Sequence, residues 1–192
     1  MTKTTISFDL DNFGSLDWTR NGILATSYFR LDKDYIEFNH NLIWVDTTNS
    51  GKFEVLYTDK QYQEVIGSNS SFSEILMAKG QYSNDGNIRS FCLSKFVTDT
   101  KTTEEILCET GAIYNYVSSD NSEYTAFIYS SDSIETQKYF LWIYDWKNGE
   151  IDKLQEVDGI LGWSKEDGGF LVVDKDEAGD YSIILIKHSL WH

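Results

Sequence analysis

The sequence predicts an all-β protein built from four repeated antiparallel units, and three observations predict it. Aromatic residues make up 15% of the chain, with 6 Trp, 12 Tyr and 11 Phe, and such residues favour the pleated, half-buried surface of a strand. An aromatic or large apolar residue, a polar knot and an apolar run recur as a set at Trp18, Ile66, Tyr116 and Trp163, spaced by 48, 50 and 47 residues. Spacing this even is a repeat signal. Turn sequences rich in Asn, Asp, Ser and Gly punctuate the apolar runs at the short intervals that antiparallel strands require.

Each unit reads in the same order. The anchor and its knot open it: "WTRNGILATSYF", "IGSNSSFSEILMA", "YVSSDNSEYTAFIY" and "GWSKEDGGFLVV". A second apolar segment follows, "NLIWVD" to Asp46, "FCLSKFVTD" to Asp99, "YFLWIYD" to Asp145 and "YSIILIK" before His188. In the first three units a polar turn such as "TTNSG" or "WKNGE" then leads to a weaker alternating segment, "KFEVLYT", "TTEEILCE" or "EIDKLQEV". Asn-Gly, Asp-Gly and Asn-Ser-Gly supply the positive-φ positions that tight hairpins need. The fourth unit has no last strand after "YSIILIK", whereas "TTISFDL", residues 4–10, precedes Trp18 at about the offset at which "DKLQEV" precedes Trp163. Residues 4–10 are therefore expected to complete the fourth unit as its outer strand, within a single domain spanning residues 1–192.

The order of anchor, acidic turn, glycine, apolar strand and second apolar strand, clearest in "GWSKEDGGFLVV" with "YSIILI" and in "YFLWIYDWKNGEIDKLQEV", resembles the blades of TolB-type and WD-repeat β-propellers. The likeness runs through essentially the whole chain and is strongest over residues 113–187. It departs from the pattern at Ile66, where an aromatic is usual, and at Lys165, where proline usually follows Trp-Ser. What the resemblance implies is a small propeller of four antiparallel blades, closed by the N-terminal strand. The alternative is a half-propeller completed by a second copy. Because the first strand of a blade runs near the propeller axis, the resemblance also places Asp17, Trp18, Glu64, Asn115, Tyr116 and Trp163 at the central channel or its mouth, as binding candidates. Packing between blades is the competing role for Trp18, Tyr116 and Trp163.

Composition narrows the function. The chain carries 16 basic and 31 acidic residues, a net charge of −15, and such a surface repels phosphate backbones, which argues against nucleic-acid binding. No run approaches the roughly 18 apolar residues of a membrane span, and the N-terminus lacks a signal-peptide pattern, so a soluble cytoplasmic protein is expected. No G-x-S-x-G, Walker, G-x-G-x-x-G or H-E-x-x-H motif occurs, and the expectation is a protein without catalytic residues. No metal or cofactor is expected either. His188 and His192 have helical ligand spacing but follow a strand, and the acidic stretch from Asp174 to Asp180, superficially suited to calcium, falls where the repeat requires a turn. Cys92 and Cys108 should face each other across the hairpin around "TDTKT". In a cytoplasmic protein they are expected as buried free thiols.

These readings converge on a non-catalytic, acidic protein-interaction module that binds a basic protein, in the manner of immunity proteins and other inhibitors, with a monomer favoured over a homodimer. The alternatives are a propeller binding glycans or small ligands through its tryptophans, and a hydrolase or lyase on the same scaffold. Deleting residues 1–10 should lower the unfolding midpoint well beyond the effect of losing a frayed terminus. Thermal unfolding followed by circular dichroism checks this, and an unchanged midpoint would remove the strand-completion reading.

Overall fold

The computed structural model describes residues 12–18, 22–30, 38–47, 52–82, 88–131 and 138–187, all of them in strands, turns or short connections and none in a helix. Residues 4–10, His188 and His192 lie outside the described residues. The strands are β1 (Asn12–Trp18), β2 (Gly22–Arg30), β3 (Phe38–Asp46), β4 (Lys52–Asp59), β5 (Tyr62–Ser68), β6 (Glu74–Tyr82) and β7 (Ile88–Val97). After them come β8 (Thr102–Ser118), β9 (Tyr124–Ser131), β10 (Tyr139–Asp145), β11 (Glu150–Glu156), β12 (Gly159–Ser164), β13 (Gly169–Lys175) and β14 (Tyr181–Ile186). Every pairing joins consecutive strands and is antiparallel, which gives sheets β1–β4, β5–β11 and β12–β14. Among the described residues the three sheets do not close on one another.

The long middle sheet runs continuously through one strand that takes two partners in turn. β8 pairs with β7 from Thr102 to Thr110 and with β9 from Gly111 to Ser118. The sequence reads "TTEEILCE" and the Tyr116 anchor as separate strands, but the chain passes from one partner to the next without a break. Gly111 makes this possible: its φ of 142° suits only glycine, and a Cβ there would run into the carbonyl oxygen of Ser130. At the other two junctions the strand is interrupted, at Lys60–Gln61 and at Val157–Asp158.

Burial follows the two-residue alternation of strands. On β6, Ile75 and Met77 join Leu24, Leu42, Val65 and Phe96 in one core cluster, while Leu76 and Ala78 join Phe91, Phe127, Trp142 and Tyr144 in another. On β9, Phe127 and Tyr129 face that second cluster, and Ala126 and Ile128 join Leu141, Ile143, Phe170 and Val172 in a third. The central strands are thus covered on both faces, which is why "EILMA", "TAFIY" and "LWIY" are continuous apolar runs instead of alternating ones.

The turns match their sequences. Asp145 caps the "DWKNG" turn by accepting from Lys147 N–H at 2.8 Å and Asn148 N–H at 3.2 Å, and Gly149 takes φ 69°. Gly168 takes φ 61° after Asp167, whose carboxylate accepts from the Ser164 hydroxyl at 2.8 Å. The acidic stretch after β13 is likewise a strand-to-strand turn: Asp176 accepts from Asp180 N–H through its carboxylate at 2.9 Å.

Cys92 and Cys108 are directly opposite on β7 and β8, as the hairpin arithmetic predicts, but they are joined in a disulfide with a Cα–Cα distance of 4.1 Å. This corrects the expectation of free thiols. Facing positions of a hairpin place two Cβ atoms within bonding reach whatever the compartment. Gly111→Ala should destabilise the protein by about 1–3 kcal/mol, the usual cost of a strained backbone position, with the steric clash adding to it. Urea unfolding would check this; a variant as stable as the wild type would mean that β8 can switch partners without a glycine.

Candidate functional site

The candidate residues all fall on the first strand of a repeat unit: Asp17 and Trp18 on β1, Glu64 on β5, Asn115 and Tyr116 on β8, Trp163 on β12. These strands neighbour one another in order, β1 beside β5, β5 beside β8 and β8 beside β12. Each also carries one extra residue relative to its hairpin partner, between Phe13 and Leu16, at Ile66, at Asn115 and at Leu161. A β-bulge bends the strand and leaves a residue out of the ladder, and bulges recur where a side chain must be re-aimed. Two of the four anchor neighbourhoods found in the sequence, Ile66 and Asn115, are the bulge residues themselves.

The residues at these positions differ in what they touch. Trp163 is half-buried, stands edge-on to Phe170 with ring centroids 4.8 Å apart, and packs on the cluster shared by β9, β10 and β13. Tyr116 packs on the neighbouring cluster. Asn115 is exposed, in left-handed backbone with φ 41°. For Asp17 and Trp18 the structure gives the backbone position, opposite Leu24 and Ile23. Glu64 is half-buried opposite Ala78, and burial alone raises its pKa above the ordinary carboxylate value. Among the described residues no cation offsets that cost.

A second polar group, missed by the sequence reading, lies in the seam between the first two sheets. Lys79 of β6 is buried and donates to Tyr57 Oη at 3.0 Å and to Asp59 Oδ2 at 3.2 Å, both on β4. Tyr57 also donates to Asp59 Oδ2 at 2.8 Å, and the ammonium lies 4.6 Å from the centre of the Tyr57 ring. Burial pushes the Asp59 pKa up, but the bonds from Tyr57, the Gln61 backbone and Lys79 outweigh it and hold the carboxylate below its usual range. The pKa of His40, opposite Asp59 on β3, is lowered by burial against the pull of that carboxylate. Gln63, opposite Lys79, is fully buried with neither side-chain amide atom hydrogen-bonded. The ammonium is engaged by both partners, so the group ties β4 to β6 instead of presenting a free acid or base. No sequence motif marks it, because its members come from four strands.

The Cys92 and Cys108 sulfurs and the Glu105 carboxylate lie within 4.8 Å of one another. The bulge at Ile106 places Glu105 on the same face as the sulfurs, but the disulfide takes both sulfurs out of service as metal ligands.

The third feature is the outward face of the last sheet. Phe170, Val172, Ile184 and Ile186 point into the core. Their neighbours Leu171, Val173, Ile183 and Leu185 therefore point the other way, in register across β13 and β14. On this sheet Leu161, Tyr181 and Ile183 are 55%, 66% and 66% exposed. Beside them stand Asp158, Asp174, Asp176, Glu177 and Asp180 with Lys175, whose ammonium lies 5.0 Å over the Tyr181 ring, while Lys165 and Lys187 stand at the opposite end of the sheet. The sequence signal for this surface is "YSIILIK", apolar on both faces where only one is covered.

The fold is similar to that of two solved structures. TolB from Acinetobacter baumannii matches with a TM-score of 0.56 at 16% identity over 91% of this chain. An uncharacterized protein from Listeria monocytogenes matches with a TM-score of 0.54 at 14% identity over 96% of this chain. The chain spans 41% and 57% of the length of those two proteins. No protein-family description matches the sequence, and no characterised protein matches it either. The likeness supports an all-β, propeller-type fold.

Glu64 gives a pH test. Its folded-state pKa is raised, so its stabilising contribution is complete while it is protonated and is lost as pH rises through that value. Glu64→Gln should therefore raise the unfolding midpoint at pH 7 by about 1–3 °C, with the gap closing as pH falls to about 4. Differential scanning calorimetry at the two pH values measures this, and an equal or lower midpoint at pH 7 would show that the carboxylate is satisfied.

Proposed function

We propose that the protein is a non-catalytic interaction module and that the outward face of β12–β14 is the surface with which it holds a basic protein partner. The observation that carries this reading is the pairing of Leu161, Tyr181 and Ile183, all more than half exposed, with five neighbouring carboxylates. An apolar centre rimmed by charge is the usual anatomy of an interface: the apolar residues slow dissociation, and the charged rim speeds encounter and selects the partner's sign. A second copy would bring the same acidic rim to the contact, and like charges at close range oppose it. A net charge of −15 extends the attraction for a basic partner beyond the rim.

In the same reading the strands form four blade-like units: β1–β4, β5 to Thr110, Gly111 to β11, and β12–β14. The intervals between anchors and the bulge repeated in each first strand support it. Residues 4–10 complete the last unit along the free edge of β14. That strand would pair with the sheet's edge and leave its outward face open for the partner. The Cys92–Cys108 disulfide weighs toward an oxidising compartment, against the cytoplasmic location expected from the sequence.

The test uses a partner captured from the native host and then purified. Its association rate should fall by about tenfold or more between low and physiological salt. Replacing Asp174, Asp176, Glu177 and Asp180 together by their amides should slow association with little change in dissociation, and Ile183→Asp should speed dissociation. Surface plasmon resonance reads both rates, and a partner indifferent to salt and to both variants would sink the proposal. Light scattering should give a mass near 22.1 kDa; twice that mass would favour a second copy on this face.

A further inference from the structure

Two hairpin turns of the chain share one construction, and one of them carries an unusual residue. In the β5–β6 turn the Phe72 N–H donates to the Asn69 carbonyl at 3.1 Å, and in the β8–β9 turn the Ser122 N–H donates to the Ser119 carbonyl at 2.9 Å. Both donor residues are left-handed, with φ of 62° and 54°. A bulky aromatic is strained in such a position and persists only where its surroundings hold it.

Phe72 is held by a clamp from the end of β7. The Thr98 hydroxyl donates to the Phe72 carbonyl at 3.0 Å and the Ser73 carbonyl at 3.3 Å, and the Thr98 N–H donates to the Ser73 carbonyl at 3.0 Å. The ring thereby faces Trp44 of β3, with centroids 5.0 Å apart and planes inclined at 50°. The two rings, with Leu24, Leu56, Ile75 and Thr98, line a half-open cavity of about 170 Å³ in the seam between the first two sheets. An apolar cavity of about 150 Å³ accepts benzene. The lining is almost wholly apolar, and Thr98 is its one hydroxyl, which gives its proton to the backbone and keeps its lone pairs as acceptors.

We propose that this cavity is a binding site for a small, uncharged, single-ring aromatic molecule with one hydrogen-bond donor, its ring against Trp44 and Phe72 and its donor on Thr98 Oγ1. The strained Phe72 is then the wall that distinguishes this turn from its counterpart at Ser122. The site lies in the first seam of the fold, separate from the outward face of the last sheet, so it stands or falls independently of the partner-binding proposal.

Phenol is the probe and benzene the control, titrated into the full chain by isothermal calorimetry with tryptophan fluorescence in parallel. Phenol should bind saturably with a Kd on the order of 0.1–1 mM, quenching a component of the emission that Trp44→Phe removes. Phe72→Gly relieves the left-handed strain while deleting the wall, so it should fold at least as readily by circular dichroism yet bind phenol about tenfold more weakly or not at all. Thr98→Val loses the acceptor together with the hydroxyl's hold on Phe72; it should weaken phenol more than benzene and bring the two to equal affinity, whereas a merely structural role for Thr98 would weaken both alike. No saturable phenol binding to the wild type would overturn the proposal, as would undiminished binding to Phe72→Gly or a phenol preference that survives Thr98→Val.

Discussion

Face-to-face stacking of sheets is the constraint on which the rest of the structure depends. A strand has two faces, and in this chain β6, β9 and β10 bury both, sending alternate residues into successive core clusters. No helix is available among the described residues to cover a sheet, so each apolar face must find another sheet. The three clusters are seams between consecutive units, and each seam is held by residues whose neighbours in sequence hold the next. Large aromatics dominate the middle seam, where Phe127, Tyr129, Trp142, Tyr144 and Trp146 come together. Loss of one unit would strip a face from each of its neighbours, so the units are expected to be stable together and not singly.

The same constraint explains where the surface is unusual. The last sheet has one face covered by the third cluster and the other open, and the most exposed large apolar residues of the described chain, Leu161, Tyr181 and Ile183, lie on it. Acidic turns flank the last sheet, so its open face combines apolar area with negative charge. This conjunction, more than the net charge by itself, gives the acidic composition a place to act.

Local chemistry tunes the seams. Gly111 lets one strand serve two units, because a backbone at φ 142° can continue past the Ser130 carbonyl where any side chain would collide. In the first seam an ammonium is admitted to the interior at Lys79, made tolerable by Asp59 and Tyr57 on the facing sheet. Removing either partner from such a group leaves a buried charge unmatched, which costs more than the pair gains by forming. The seam is therefore fastened by polar contacts at one place and lined by carbon around the Trp44–Phe72 cavity at another.

What the sequence determined by itself was periodic: the all-β class, the antiparallel order of strands, the glycine-bearing turns and the facing of Cys92 with Cys108. Each rests on local chemistry that a short stretch carries complete, such as the demand of an Asn148-Gly149 turn for positive φ or the strand preference of "YFLWIYD". The tertiary structure decided what depends on residues distant in sequence. The fusion of "TTEEILCE" with the Tyr116 strand depended on how Gly111 meets β9. The cluster of His40, Tyr57, Asp59, Gln63 and Lys79 required four strands to converge, and the Trp44–Phe72 cavity required a turn of one unit to lie over a strand of another. The open face of β12–β14 was written in "YSIILIK", but an apolar strand does not say which of its faces a neighbour will cover; only the position of that sheet at the end of the stack does.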